Sequence, residues 1–227
     1  MEHKALCAIA TIDAMLNSLR DTRTTPGEDD FQLPMDTIYA PYHWADQQYT
    51  IATAPYHNPC VLQAVGGTVP NVEAVSHMGL GLTMVPHLAN CFLTHNDYTA
   101  TGYPALPVTA TATSSVQQQR MKDRVITALQ DPQKRVLLNY DRAGIGQQLT
   151  TGGHWSPLGA YHNSTDTFLI MDVAKYKYPM VWVSWEQLWN GAATLDLCSE
   201  TVPFLTDDTT TTTTTTNDEE DANFNFN

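Results

Sequence analysis

Two apolar runs on either side of a short polar turn constrain this chain more than any other feature. Residues 155–162 (WSPLGAYH) and 168–174 (FLIMDVA) flank Asn163-Ser164-Thr165-Asp166. Strand formers bounded by a cluster of Asn, Ser and Asp predict a β-hairpin. Folding about that turn brings His154 and Asp172 to the same end of two adjacent strands. A carboxylate beside an imidazole fixes its tautomer and orientation, and the imidazole can then activate a nucleophile. The pair is two-thirds of a catalytic triad, and the rest of the chain must supply the third member.

That member is expected near the N-terminus. In residues 7–19 (CAIATIDAMLNSL), Ile9, Ile12, Leu16 and Leu19 recur at helical spacing and predict an amphipathic helix. Cys7 falls at its first turn, where unpaired amide groups favour a thiolate and are expected to lower the thiol pKa. It is the strongest nucleophile candidate. Residues 20–78 are punctuated by Pro26, Pro34, Pro41, Pro55, Pro59 and Pro70 and read as a loop-rich insertion, with short strands at 48–53 and 61–65. His43, His57 and Cys60 lie there without ligand-like spacing.

Residues 82–93 predict a short helix with Pro86 in its first turn and Cys91 as a buried apolar residue. A Thr/Ala/Pro linker over 99–114 leads to a helix at 115–130, capped by Ser114 or Ser115, and then to a strand at 135–141. After the hairpin, residues 175–183 are read as leaving the sheet. Trp185–Ala193 is a helix capped by Ser184, and 201–205 is a last strand. From Thr206 the threonine run, the acids and the Asn/Phe repeats are those of a disordered tail.

With 227 residues and a net charge of −13, the chain has no basic face for nucleic acid. It has no apolar run long enough to span a membrane and no signal-peptide pattern at its start. Cys7, Cys60, Cys91 and Cys198 form no CxxC pair. Reduced thiols in a cytoplasmic setting are expected.

Local motifs sharpen the reading. Gly152-Gly153-His154-Trp155-Ser156-Pro157-Leu158, Asp172-Val173-Ala174-Lys175-Tyr176-Lys177-Tyr178-Pro179, Trp182-Val183 and Leu188-Trp189 closely resemble the phytochelatin synthases, glutathione γ-glutamylcysteinyltransferases of papain-like fold. Leu6-Cys7-Ala8-Ile9-Ala10-Thr11 resembles that family's nucleophile helix. The likeness is dense over 135–196, good at 5–19, fainter over 79–95 and absent from 20–78 and the tail.

The resemblance implies an α+β, papain-like cysteine-protease fold, with the nucleophile helix packed against an antiparallel sheet carrying His and Asp. The catalytic domain would span 1–205, including the 20–78 insertion, followed by the tail at 206–227. Cys7 would be the nucleophile, His154 the general base and acid, and Asp172 the orienter. Arg142 would hold a substrate carboxylate, and Asp196 would meet the γ-Glu amine. Glutathione and phytochelatin peptides would be the partners, and a homodimer is left open. No fixed cofactor and no metal site on the protein are implied. A heavy-metal ion such as Cd or Zn would enter as a glutathione thiolate co-substrate.

Two features depart from the family pattern. Residues 1–6 hold no Gln, where the family places an oxyanion-hole donor, and loss of one such donor typically costs about 10²–10³ in rate. Residues 197–203 hold no Lys or Arg, where the family has basic residues. Transfer of γ-Glu-Cys to a second glutathione is the leading expectation. Release of the same acyl group to water and a weakened, glutathione-binding pseudoenzyme remain the alternatives.

Overall fold

The structure, a computed structural model, describes residues 6–20, 45–47, 50–51, 58–64, 79–93, 98–105, 112–147 and 152–194. His43, His57, Asp196, the expected strand at 201–205, the tail and most of the 20–78 stretch lie outside the described residues. The protein is α+β. Helices α1 (Cys7–Arg20), α2 (Pro59–Ala64), α3 (Met84–Leu93) and α4 (Ala112–Gln130) precede strands β1 (Val136–Asp141), β2 (Gly153–His162), β3 (Thr167–Ile170) and β4 (Val181–Ser184), and α5 (Trp185–Ala192) follows. The strands form one antiparallel sheet in the order β1-β2-β3-β4.

Among the described residues, two apolar cores result. The first joins α1, α2 and α3. Ile9, Ile12, Leu16 and Leu19 are fully buried, as their spacing requires, and Val61 and Leu88 pack with them. Trp155 of β2 reaches into this core, and its indole N–H donates to the Leu80 carbonyl at 2.8 Å. The second core fills the other part of the sheet. Val136, Leu138 and Tyr140 of β1 meet Phe168 and Ile170 of β3, closed by α4 and by Trp185 and Trp189 of α5. Arg135 bridges the layers, donating from Nε to Ser18 Oγ at 2.8 Å and from a terminal nitrogen to the Ser18 carbonyl.

The hairpin forms as read, with the turn at 163–166 and His162 paired to Thr167. Several expectations are corrected. Residues 181–184 do not leave the sheet. A turn in which Lys177 and Tyr178 donate to the Ala174 carbonyl reverses the chain, and Val181 pairs with Ile170 to start β4. A four-residue edge strand after a Lys/Tyr/Pro run carries too short an alternation to announce itself. Residues 61–64 are helical, not extended, because Asn58 accepts from the Val61 and Cys60 amides and nucleates a turn. Thr50 likewise donates to the Asp46 carbonyl in a helical turn. Helix α4 begins at Ala112, so Ser114 and Ser115 lie inside it.

The expectation of reduced thiols fails for Cys60 and Cys91, which form a disulfide between α2 and α3. Their sequence separation of 31 gives no hint that two helices bring them together. Cys7 is the free cysteine among the described residues. Ser184 does cap α5, in a reciprocal capping box with Gln187.

The turn after β1 packs directly on α5. A Cβ on Gly144 would lie 2.6 Å from Gly191 Cα, closer than carbon atoms approach. We expect Gly144→Ala to destabilise the fold by about 1–3 kcal/mol, as overpacking typically does. Chemical denaturation would measure it, and an unchanged midpoint would refute the close approach.

Asp13 is buried on α1 and accepts from the Thr50 hydroxyl at 2.6 Å. Burial raises its pKa from 3.8 to about 7. The native state therefore keeps a proton that the unfolded chain loses, so this group makes stability fall as pH rises through that interval. Asp13→Asn should remove that part of the decline. Urea midpoints of both proteins between pH 4 and 8 would show the gap opening, and parallel curves would contradict it.

Candidate active site

The site is built where β1, β2 and the turn after β3 converge. Register places Tyr140 opposite His154 and Asp141 opposite Gly153. The Asp141 carboxylate accepts from the Gly152 amide at 2.7 Å and the Ala143 amide at 3.2 Å. This fixes the glycine entry to β2, so His154 emerges at a defined point. Two residues beyond the end of β3, Asp172 points back toward it.

His154 and Asp172 are both buried. Their Nε2 and Oδ1 atoms are 3.0 Å apart. Asp172 also takes a two-pronged ion pair from Arg142, with nitrogen–oxygen distances of 2.6 and 3.1 Å. The Ala174 amide donates to it at 2.8 Å and the Tyr140 hydroxyl at 3.3 Å. Burial alone would raise the Asp172 pKa. The bonds from His154, Arg142 and the Ala174 amide outweigh it and hold the carboxyl well below its usual range. An ionised Asp172 only accepts, so the proton between the pair resides on His154 Nε2. Nδ1 is then the basic nitrogen. Burial lowers the His154 pKa, with Asp172 pulling it up and Arg142 pushing it down. The ring is neutral at pH 7, as a proton acceptor must be.

Arg142 is placed differently from the sequence expectation of a substrate carboxylate ligand. It is buried. Its two terminal nitrogens bind Asp172, one of them also bonds Gln147, and its guanidinium stacks on the Tyr178 ring, 4.0 Å from the centroid. A guanidinium held this way positions the carboxylate that positions the histidine.

Cys7 begins α1 and is 6% exposed. Its sulfur faces the backbone amides of Trp155, Ala8 and Cys7 itself, so the helix N-terminus meets β2 at the residue following His154. The expected lowering of the thiol pKa is reversed. Burial raises it, and the three amides and the more distant Arg142 offset that only in part. A raised thiol pKa and a lowered imidazole pKa leave both groups neutral at pH 7.

Sequence reasoning missed Tyr140, Gln147 and the Ala174 amide. Tyr140 was within reach, because aligning β1 against β2 puts it across from His154, and its ring meets the imidazole edge-on at 5.5 Å. Gln147 and the Ala174 amide lie in turns, where no periodicity points inward.

The class that the fold defines is an α+β protein whose antiparallel four-stranded sheet is packed by helices. The chain belongs to the phytochelatin synthase family, whose model matches residues 1–202. It is 28% identical over 192 residues to glutathione gamma-glutamylcysteinyltransferase 3 of Lotus japonicus, covering 85% of this chain and 32% of that protein. It is 26% identical to glutathione gamma-glutamylcysteinyltransferase 1 of Arabidopsis thaliana over 85% of this chain and 31% of that protein. A 66-residue match at 35% identity, 29% of this chain and 16% of the relative, links it to glutathione gamma-glutamylcysteinyltransferase of Schizosaccharomyces pombe. The chain thus spans about a third of the length of these two plant relatives.

Arg142→Met should leave Asp172 as a buried, uncompensated charge and destabilise the protein by about 3–5 kcal/mol at pH 7. Because the native Asp172 pKa is depressed, its stabilisation exists above the ordinary carboxylate value of about 3.9 and is lost as pH falls below it. The gap between native protein and variant should therefore narrow in acid. A gap that is constant with pH would contradict the assignment.

Proposed function

We propose that this chain is the catalytic unit of a γ-glutamylcysteine dipeptidyl transferase that makes phytochelatins from glutathione, on a papain-like fold spanning residues 1–205. The observation that carries the reading is the buried His154–Asp172–Arg142 array beside the helix N-terminus that holds Cys7. Membership of the family supports it.

In this reading His154 Nδ1 takes the proton from Cys7 Sγ, and the thiolate attacks the carbonyl carbon of the Cys–Gly bond of glutathione. Imidazolium and thiolate appear together, and Asp172 stabilises the imidazolium without moving its own proton. The tetrahedral oxyanion forms where backbone amides cluster at the start of α1, with the Cys7 amide as the donor at hand. As that intermediate collapses, the carbon–nitrogen bond breaks and His154 returns its proton to the leaving glycine. A γ-Glu-Cys thioester remains on Cys7. The α-amine of a second glutathione, or of a growing phytochelatin, attacks it, loses a proton to His154 and regenerates the thiol. Asp196 remains the proposed partner of the γ-Glu amine. Cadmium or zinc enters as part of the acceptor thiolate, in a role in metal detoxification.

The test is incubation with glutathione and cadmium, with products read by mass spectrometry. A ladder spaced by γ-Glu-Cys units is expected. It should be absent with Cys7→Ala and slowed by about 10²–10⁴ with His154→Ala, the usual contribution of a general base. Free γ-Glu-Cys and glycine without a ladder would reassign the acyl acceptor to water. No turnover by folded protein would overturn the enzymatic reading in favour of binding alone.

A further inference from the structure

Away from the site, the helical layer carries a second cluster of chemistry-bearing side chains. Cys60 of α2 and His87 and Cys91 of α3 offer two sulfurs and an imidazole nitrogen, all within 4.8 Å of one another. His87 and Cys91 are four residues apart on one helix and so share a face. Cys91 is buried, Cys60 is half-buried and His87 is exposed, which gives the group a dry floor and an open mouth.

The two cysteines are held together by more than their disulfide. The Asn58 side chain accepts from the Cys60 amide at 3.0 Å and donates to the Cys91 carbonyl at 3.2 Å. Val61 and Ala64 of α2 are buried in the same core as Leu88 and Phe92 of α3. Breaking the sulfur–sulfur bond therefore leaves the helices packed and the Cα atoms near their present 5.5 Å separation. A tetrahedral ion with sulfur at about 2.3 Å and nitrogen at about 2.0 Å needs its ligand atoms roughly 3.5 Å apart. Side-chain rotation alone can reach that from the present span. Two thiolates and one imidazole are a soft donor set, which selects zinc- or cadmium-like ions over magnesium or calcium.

We propose that Cys60, His87 and Cys91 form a redox-gated site for one soft divalent cation, blocked by the Cys60–Cys91 disulfide and opened by its reduction. Two molecules of a small thiol reduce the bridge, giving two protein thiols and one small-molecule disulfide. The cation then displaces both thiol protons, binds the two sulfurs and the His87 ring, and keeps a fourth position facing solvent. Disulfide and ion are mutually exclusive clasps on the same pair of helices. The proposal does not depend on Cys7 chemistry, and its readouts are not catalytic.

The experiment is cadmium titration of the full chain before and after reduction with a non-chelating phosphine, followed by removal of the phosphine. Binding would be read from thiolate-to-metal ultraviolet absorbance and from the thermal midpoint. The reduced protein should take up one tight equivalent that raises its midpoint, and the oxidised protein should lack it. Cys60→Ser and Cys91→Ser should each abolish that equivalent. His87→Ala should weaken it by at least about 10-fold, the floor that changes outside the ligand shell already reach. Cys7→Ser and Cys198→Ser should leave it intact. Equal binding before and after reduction would overturn the proposal, as would a tight equivalent that survives Cys60→Ser or disappears with Cys7→Ser. Midpoints of the metal-free reduced variants identify any that fail to fold, and for those the His87→Ala result decides.

Discussion

A buried carboxylate is the point on which this structure turns. Asp172 has no contact with water and would be untenable there alone. What makes it tolerable is a shell of donors from three separate segments: Arg142 after β1, His154 in β2 and the Ala174 amide after β3. Both side-chain donors are in turn fixed. Arg142 lies over the Tyr178 ring and donates to Gln147, and His154 meets the Tyr140 ring edge-on. The cost of burying one charge is thus converted into precise placement of an imidazole. The same pair shows why buried ion pairs are poor evidence for stability and good evidence for a positional role.

The elements that bear the site were readable to different depths. The hairpin and the N-terminal helix followed from local pattern, because each is a contiguous run with its own period. The His154–Asp172 bond followed from the hairpin, since a turn of known length sets which strand ends meet. The role of Arg142 did not follow. Its position in the chain was marked, but whether a guanidinium faces substrate or an internal carboxylate depends on the third dimension. The thiol pKa of Cys7 failed for a related reason. A helix N-terminus is visible in a sequence, whereas the burial that outweighs it comes from tertiary packing of the helical core. Strand β4 and the Cys60–Cys91 contact were hidden by brevity and by separation respectively.

The two cores divide labour across β2. Trp155 belongs to the helical core and Leu158 to the sheet core, so a single strand is clamped from both sides with His154 adjacent to the first. Relative movement of the layers would tilt that strand. The Trp155–Leu80 bond and the Arg135–Ser18 bonds oppose such movement at either side of the site. Opposed layers braced by long-range hydrogen bonds keep the geometry of the candidate site without demanding that any one element be rigid by itself.

The brace between Arg135 and Ser18 joins residues 117 positions apart, and the candidate nucleophile and its base lie farther apart still. Chains are synthesised from the N-terminus, and early segments begin to fold before late ones exist. The helix bearing Cys7 therefore emerges well before any residue of the sheet. Until β2 docks, the thiol lacks the Trp155 amide and the burial that raises its pKa, and it is an ordinary cysteine. The surroundings that set this thiol's protonation are therefore complete only when the sheet, the last layer to be synthesised, packs against the helix.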